Sequence, residues 1–211
     1  MAGEVGLDGH VIAADVDPDQ LVVAKWHCAK CQNHEPIDYL EACAYETGLP
    51  SESFDLVHMR LLLCHLVEPA KVIAEAFRIL KPGGALVCQD LHISSIYCYP
   101  ASPAYTRMTE LGLAMGRAIG VDYNYGLRLP VAAKEAGFSH VEVRLNQPAY
   151  LRGEEKRLWK HTFAEVVPAI VRAECASKEE LDTLLAEMRT HADDESTLIA
   201  QACLPGVIAR K

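Results

Sequence analysis

The sequence predicts an α/β fold, a doubly wound and mostly parallel sheet with helices on its faces and an antiparallel hairpin at the C-terminus. Two observations carry that expectation. Residues 49–91 read in immediate succession as polar loop, buried strand, amphipathic helix, glycine turn and second buried strand, and a repeated strand–helix–strand order is the pattern of parallel strands joined by right-handed crossovers. Earlier, the short apolar run His10–Ala14 ends at Asp15 and gives way to a helix opened by Pro18, which is how a strand of a nucleotide-binding sheet meets its crossover helix.

Each element has its own local warrant. In the first helix Asp17 suits the N-cap and Pro18 the first helical position, with Leu21, Val22, Lys25 and Trp26 keeping helical spacing to about Cys31. Asn33–Pro36 breaks that helix. Ile37–Ala44 is a weaker strand and Phe54–Leu61 a stronger one, set off by the turn Ser51-Glu52-Ser53. Between Pro69 and Leu80 the apolar residues Val72, Ile73, Ala76, Phe77 and Leu80 share a helical face while Lys71, Glu75 and Arg78 lie off it. Lys81-Pro82-Gly83-Gly84 stops that helix, and Ala85–Leu91 is the next strand.

Beyond Leu91 the pattern loosens. An aromatic segment, Ile96–Tyr105, precedes a helix from about Thr106 to Ile119, and together they read as a lid-like insertion at about 96–128 within one domain spanning 1–211. A short helix at Leu129–Ala136, a strand at Phe138–Leu145 and helices at about Glu154–Glu174 and Lys178–His191 follow. Ser177 with Glu180 forms a capping box for the last helix. Leu198–Ala202 and Val207–Ala209 read as the hairpin, turning at Pro205-Gly206.

Composition narrows the function classes. A chain of 211 residues, 50% hydrophobic, can bury one sizeable core. Its formal charge of -9 and the absence of a basic run argue against a nucleic-acid substrate. No apolar run reaches the roughly 20 residues that cross a bilayer, and MAGEVGLDGH has no secretory character. Eight cysteines sit mostly in apolar surroundings, as reduced core residues do, so the expected compartment is the cytoplasm. His27, Cys28, Cys31 and His34 contain a Cys-x-x-Cys pair, but no second pair is present to complete a closed zinc site, so no metal is expected.

The segments GHVIAADVDPDQL (9–21) and LPSESFDLVHMRLLLCHLVEPAKVIAEAFRILKPGG (49–84) resemble the class I S-adenosylmethionine-dependent methyltransferases, in particular the small-molecule group that includes the quinone-biosynthesis enzymes. The resemblance covers about residues 3–145. It implies a Rossmann-like sheet, S-adenosylmethionine as cofactor and a small-molecule acceptor. Gly3, Gly6 and Gly9 match the segment that leads into the family's second strand, so the first strand and its glycine-rich loop are expected to lie before residue 1. Losing a central strand leaves two unpaired edges, which the sheet must close, fill from elsewhere in the chain, or fill from a partner in a homo- or hetero-oligomer.

Candidate site residues follow from strand ends, because open α/β sheets bind ligands beyond the carboxyl ends of their strands. Asp15, with Val16 beside it, stands where a carboxylate accepts hydrogen bonds from ribose hydroxyls; the alternative is that Asp15 or Asp17 only caps the helix. By resemblance Asp15 is the ribose ligand and Asp17 the cap. The family's adenine-binding acid is replaced here by Tyr45-Glu46, which either meets the adenine or forms a solvated loop. His58 and Arg60 occupy the mouth after the Phe54 strand, on the cofactor side. His65 and His92 are the candidate bases for deprotonating the acceptor, with the alternative for His65 that it is a structural histidine. Asp90 and His92 are expected to line the pocket, and Tyr97, Tyr99, Tyr105, Tyr123 and Tyr125 to form an aromatic lid or pack on one another.

Two other readings come from different classes. One is a non-catalytic methyltransferase-like module, or a subunit completed by a partner. The other, a nicotinamide dehydrogenase, lacks a glycine fingerprint and a Tyr-x-x-x-Lys pair in this sequence.

Overall fold

A computed structural model describes residues 5–6, 9–30 and 37–211. The chain folds in the order β1 (Val11–Asp15), α1 (Pro18–Lys30), β2 (Ile37–Glu41), β3 (Phe54–Arg60), α2 (Pro69–Ile79), β4 (Leu80–Gln89), β5 (Tyr97–Tyr99), α3 (Pro103–Ala118) and α4 (Leu129–Glu135). It continues with β6 (His140–Asn146), β7 (Ala149–Tyr150), α5 (Leu158–Arg172), α6 (Lys178–Asp193), β8 (Leu198–Ala200) and β9 (Leu204–Arg210).

The strands form three sheets. β1 and β2 make a parallel pair, β3-β4-β9-β6 a four-stranded sheet, and β5-β8-β7 a three-stranded one. Within the four-stranded sheet β3 and β4 are parallel, while β9 runs antiparallel between β4 and β6. Among the described residues no strand pairs with the outer edge of β1 or of β3.

The expected C-terminal hairpin does not form. β8 pairs with β5 and β7, and β9 with β4 and β6, so the two strands belong to different sheets. The Pro205-Gly206 turn signal lies inside β9, where Gly206 stands opposite Gln89. A side chain at Gly206 would press on the Gln89 Cγ, 2.9 Å from an added Cβ, so the glycine serves close strand packing.

The core explains the helix periods. Val72, Ile73 and Ala76 of α2 cluster with Leu80, Leu86 and Cys88 of β4, and Met108, Leu111 and Met115 of α3, Phe163 and Ile170 of α5, and Leu181 and Met188 of α6 continue the cluster. The Lys81–Gly84 segment loops out of β4, since Phe54 pairs with Leu80 but Leu56 with Ala85. Gly83 holds φ at +80°, and a Cβ on Gly84 would fall 2.9 Å from the Lys81 carbonyl oxygen, so both glycines are required by backbone geometry. Ser177 Oγ accepts the Glu180 N–H, completing the predicted cap of α6.

Glu75 departs from its expected place on the outer face of α2. It is buried, and its carboxylate accepts the Thr47 N–H at 3.0 Å and the Arg78 guanidinium at 2.7 Å. The Arg78 hydrogen bond outweighs burial and holds the Glu75 carboxyl down at about 2. Glu75 through Thr47, and Arg78 through the Leu49 carbonyl at 2.7 Å, fasten the segment after β2 to the body of the molecule.

Candidate active site

The carboxyl ends of β3 and β4 meet at one rim. Arg60 pairs with Gln89, and the Leu61 N–H donates to the Gln89 carbonyl at 3.0 Å with Leu61 itself at φ +53°. A leucine in the left-handed region is uncommon and turns the chain sharply off the sheet. The turn lands in the 3₁₀ segment Leu63–His65.

Asp90 anchors that segment. Its side chain is fully buried; Oδ2 accepts the N–H groups of Leu63 at 2.7 Å and Cys64 at 3.3 Å, and Oδ1 accepts that of Leu91 at 2.7 Å. A buried carboxylate is tolerated when backbone N–H groups satisfy it. Burial first, then the Asp90 hydrogen bond, pushes the neighbouring Cys64 thiol far up, so this cysteine is a neutral packing residue. Asp90 therefore does not line a pocket as expected; it positions the turn that carries His65. Gly126 packs over the same point, where an added Cβ would lie 2.5 Å from the Asp90 carbonyl oxygen.

His65 is exposed and meets the Tyr123 ring edge-on, with centroids 5.7 Å apart. The Tyr123 carbonyl accepts the Ile93 N–H at 3.1 Å, next to His92. His92 is half-buried, with its own N–H donated to the Cys203 carbonyl at 3.0 Å, and burial lowers its pKa, favouring the free imidazole. His58 is exposed on β3; burial, then the Arg60 charge, lowers its pKa. The fold thus gathers Arg60, His65 and His92 around the β3–β4 rim.

The remaining candidates lie on the other piece. Asp15 ends β1 opposite Glu41, half-buried, and its Oδ1 accepts the Asp17 N–H at 2.9 Å. Asp17 in turn accepts the Asp19 N–H at 2.9 Å, the bond of an N-cap to the first turn of α1. Val16 is 68% exposed. The Tyr45 hydroxyl accepts the Glu68 N–H at 3.3 Å and ties the loop after β2 to the start of α2, while Glu46 stays exposed. No hydrogen bond among the described residues joins the Asp15 side chain to Arg60, His65 or His92.

The aromatic lid expectation divides. Tyr105 and Tyr125 are buried in the core, Tyr123 faces His65, and Tyr97 and Tyr99 are exposed at 55% and 74%. Sequence reasoning missed the pairing of Asn124 with Ser94, whose side chains join at 2.8 Å and hold the Tyr123 loop against the residues after Asp90. It also missed Lys156, which lies buried in the polar-looking run Glu154–Arg157 and donates to the carbonyls of Leu151, Asp194 and Thr197. Neither carries a local signal. Of the cysteine–histidine group, Cys31 and His34 fall outside the described residues. A groove of about 640 Å³ lies away from the rim, between α5 and α6, lined by Lys160, His161, Leu185 and Arg189 among others.

With this geometry in view, residues 1–88 match the family described as methyltransferase domain. The chain is 33% identical over 90 residues to the demethylmenaquinone methyltransferase of Listeria monocytogenes, covering 43% of this chain and 38% of that protein. It is 32% identical over 101 residues to the ubiquinone/menaquinone biosynthesis C-methyltransferase of Vibrio vulnificus, covering 48% and 38%. Its first half is thus similar in sequence to methyltransferases of quinone biosynthesis. The matched stretch spans well under half the length of these curated relatives. Across nearly the whole chain the fold agrees with a methyltransferase-like protein of Bacillus halodurans, with a TM-score of 0.63 at 18% identity, covering 96% of this chain and 83% of the other. It also agrees with Haemonchus contortus phosphoethanolamine N-methyltransferase 2, solved with phosphomonomethylethanolamine and S-adenosylhomocysteine, at a TM-score of 0.54 and 19% identity, covering 100% and 45%. The likeness in sequence therefore lies in the first half of the chain, and the likeness in fold runs through nearly all of it.

Proposed function

We propose that the protein binds S-adenosylmethionine and transfers its methyl group to a small-molecule acceptor in the cytoplasm. The observation that carries this reading is the placement of Asp15: a half-buried carboxylate at the carboxyl end of a parallel strand, with one oxygen fixed by the Asp17 N–H. A carboxylate oriented in this way presents its other oxygen to a vicinal diol. Asp15 would hold the ribose, with Val16 as an apolar neighbour and Tyr45-Glu46 on the adenine side. The bound cofactor supplies an electrophilic methyl group on a sulfonium.

The chain's own contribution is to position the acceptor and to take its proton. In-line transfer depends chiefly on orientation, with a modest base where the nucleophile is protonated. His92, kept neutral by burial, and His65, held over the rim by the Asp90-anchored turn, support that role. The seven described cysteines are free thiols, which suits a reducing compartment. No helix among the described residues is long and apolar enough to cross a membrane.

Isothermal titration of the chain with S-adenosylmethionine tests the reading. Saturable binding is expected, weakened at least about tenfold (~1.4 kcal/mol) by Asp15→Ala. Binding unchanged by that substitution would remove Asp15 from the site. No binding by the wild-type chain would favour the module completed by a partner, a reading supported by the unpaired outer edges of β1 and β3.

A further inference from the structure

β6 forms the outer edge of the four-stranded sheet and is paired with β9 along its whole length, from His140 to Asn146. No strand among the described residues covers its other side. Such an edge offers a row of free N–H and C=O groups to any strand that fits, and proteins ordinarily protect it. Here apolar side chains are left in the open: Val143 is 49% and Leu145 72% exposed. The charges on the strand are of both signs, and Glu142 and Arg144 pair with each other along it.

The sequence of this edge, His-Val-Glu-Val-Arg-Leu-Asn, is self-complementary about its centre. An antiparallel pair of two such strands with a two-fold axis at Val143 sets Glu142 opposite the partner's Arg144, and Arg144 opposite the partner's Glu142. The same register sets Val141 opposite the partner's Leu145, and His140 opposite the partner's Asn146. Opposite charges and apolar pairs placed directly across a strand pair are favourable, and like charges are not. Moving the axis by one residue places Glu142 or Arg144 against its own copy, so the charges disfavour both neighbouring registers. A strand protected only against foreign edges would carry one sign of charge, whereas this one attracts itself.

We propose that β6 is a dimerisation edge, and that its partner is β6 of a second copy of this chain, antiparallel and centred on Val143. The contact is isologous and closes on itself, giving a dimer rather than a filament. An interface built on one strand edge is small, so the dimer forms and dissociates with concentration.

Sedimentation equilibrium over micromolar to millimolar concentration, joined to charge reversal, tests this. Wild type is expected to show a monomer–dimer equilibrium. Glu142→Arg and Arg144→Glu, each placing like charges across the axis, should each raise the dissociation constant about tenfold or more. The double variant Glu142→Arg/Arg144→Glu should return it towards the wild-type value. Circular dichroism melts confirm that each variant folds. Independently, mild oxidation of Val143→Cys should yield a cross-linked dimer that Val141→Cys and wild type do not give, because only position 143 faces itself. A wild-type chain that stays monomeric throughout, single reversals that dimerise like wild type, a double variant that is not rescued, or equal cross-linking at 141 and 143 would each overturn the proposal.

Discussion

Between Val11 and Glu41 the structure buries one described side chain, that of Leu21, and α1 leaves Val22, Val23 and Trp26 exposed at 62%, 48% and 55%. From Met59 onward α2, α3, α4, α5 and α6 pack into one continuous apolar cluster with β4 and β9, to which no described residue before Ala44 contributes. The first region is held by local pairing, β1 against β2 with α1 across them; the second is held by contacts between residues far apart in sequence. The core and the strand proposed to hold the cofactor are therefore lodged in different places. The body supplies the cooperative core, while the strand that ends at Asp15 stands on a unit with little core of its own.

Core truncation should separate the two regions most sharply. Phe163→Ala, removing a side chain 1% exposed, should cost about 3–5 kcal/mol in urea unfolding, whereas Val22→Ala on α1 should stay within about 0.5 kcal/mol. Equal costs would show that α1 is packed in solution as the body is.

The tie between the regions gives the next effect. Glu75 sits at about 2 instead of its ordinary 4.5, so the folded state binds its proton less readily than the unfolded one. Its stabilisation is complete above about pH 4.5 and is lost as the pH falls from there towards about 2. Arg78 is partly solvated, which moderates the size, and about 1–3 kcal/mol is expected across that window. Glu75→Gln should flatten this part of the stability–pH curve, as followed by chemical denaturation at stepped pH. An unchanged slope would remove Glu75 as the acid-sensitive tie.

Thiol labelling gives the smallest effect. Cys43, exposed just after β2, should react within the native state, whereas Cys88, fully buried and pushed up to about 12 by burial and then the Asp90 charge, should react only on unfolding. Mass spectrometry after a brief pulse of iodoacetamide distinguishes the two. Equal labelling would place both regions at the same level of protection.

What could be read from sequence follows the same division between local and distant causes. The α2 face, the Ser177 cap and the strand that ends at Asp15 each rest on spacings of a few residues, and each is found close to its expected place. The C-terminal hairpin failed because two strands around Pro205-Gly206 look alike whether they pair with each other or with distant partners. At the rim, Arg60 and His65 were legible as residues following a strand. The burial of Asp90 and its bonds to the Leu63 and Cys64 amides were not, since they join residues 26 and 27 positions apart. Glu75 read as lying off the apolar face of α2, and Lys156 gave no signal, for the same reason: groups that satisfy them lie elsewhere in the chain.

The location of β9 sets a schedule for biosynthesis. Neither β4 nor β6 gains its antiparallel neighbour until residues 204–210 have been made, since Ala85 waits for Arg210. At ~5–20 residues per second the ribosome leaves that flank of β4 bare for on the order of ten seconds. During that interval the nascent chain depends on whatever shields it, and the sheet is completed only once its last strand is threaded between two that were translated earlier.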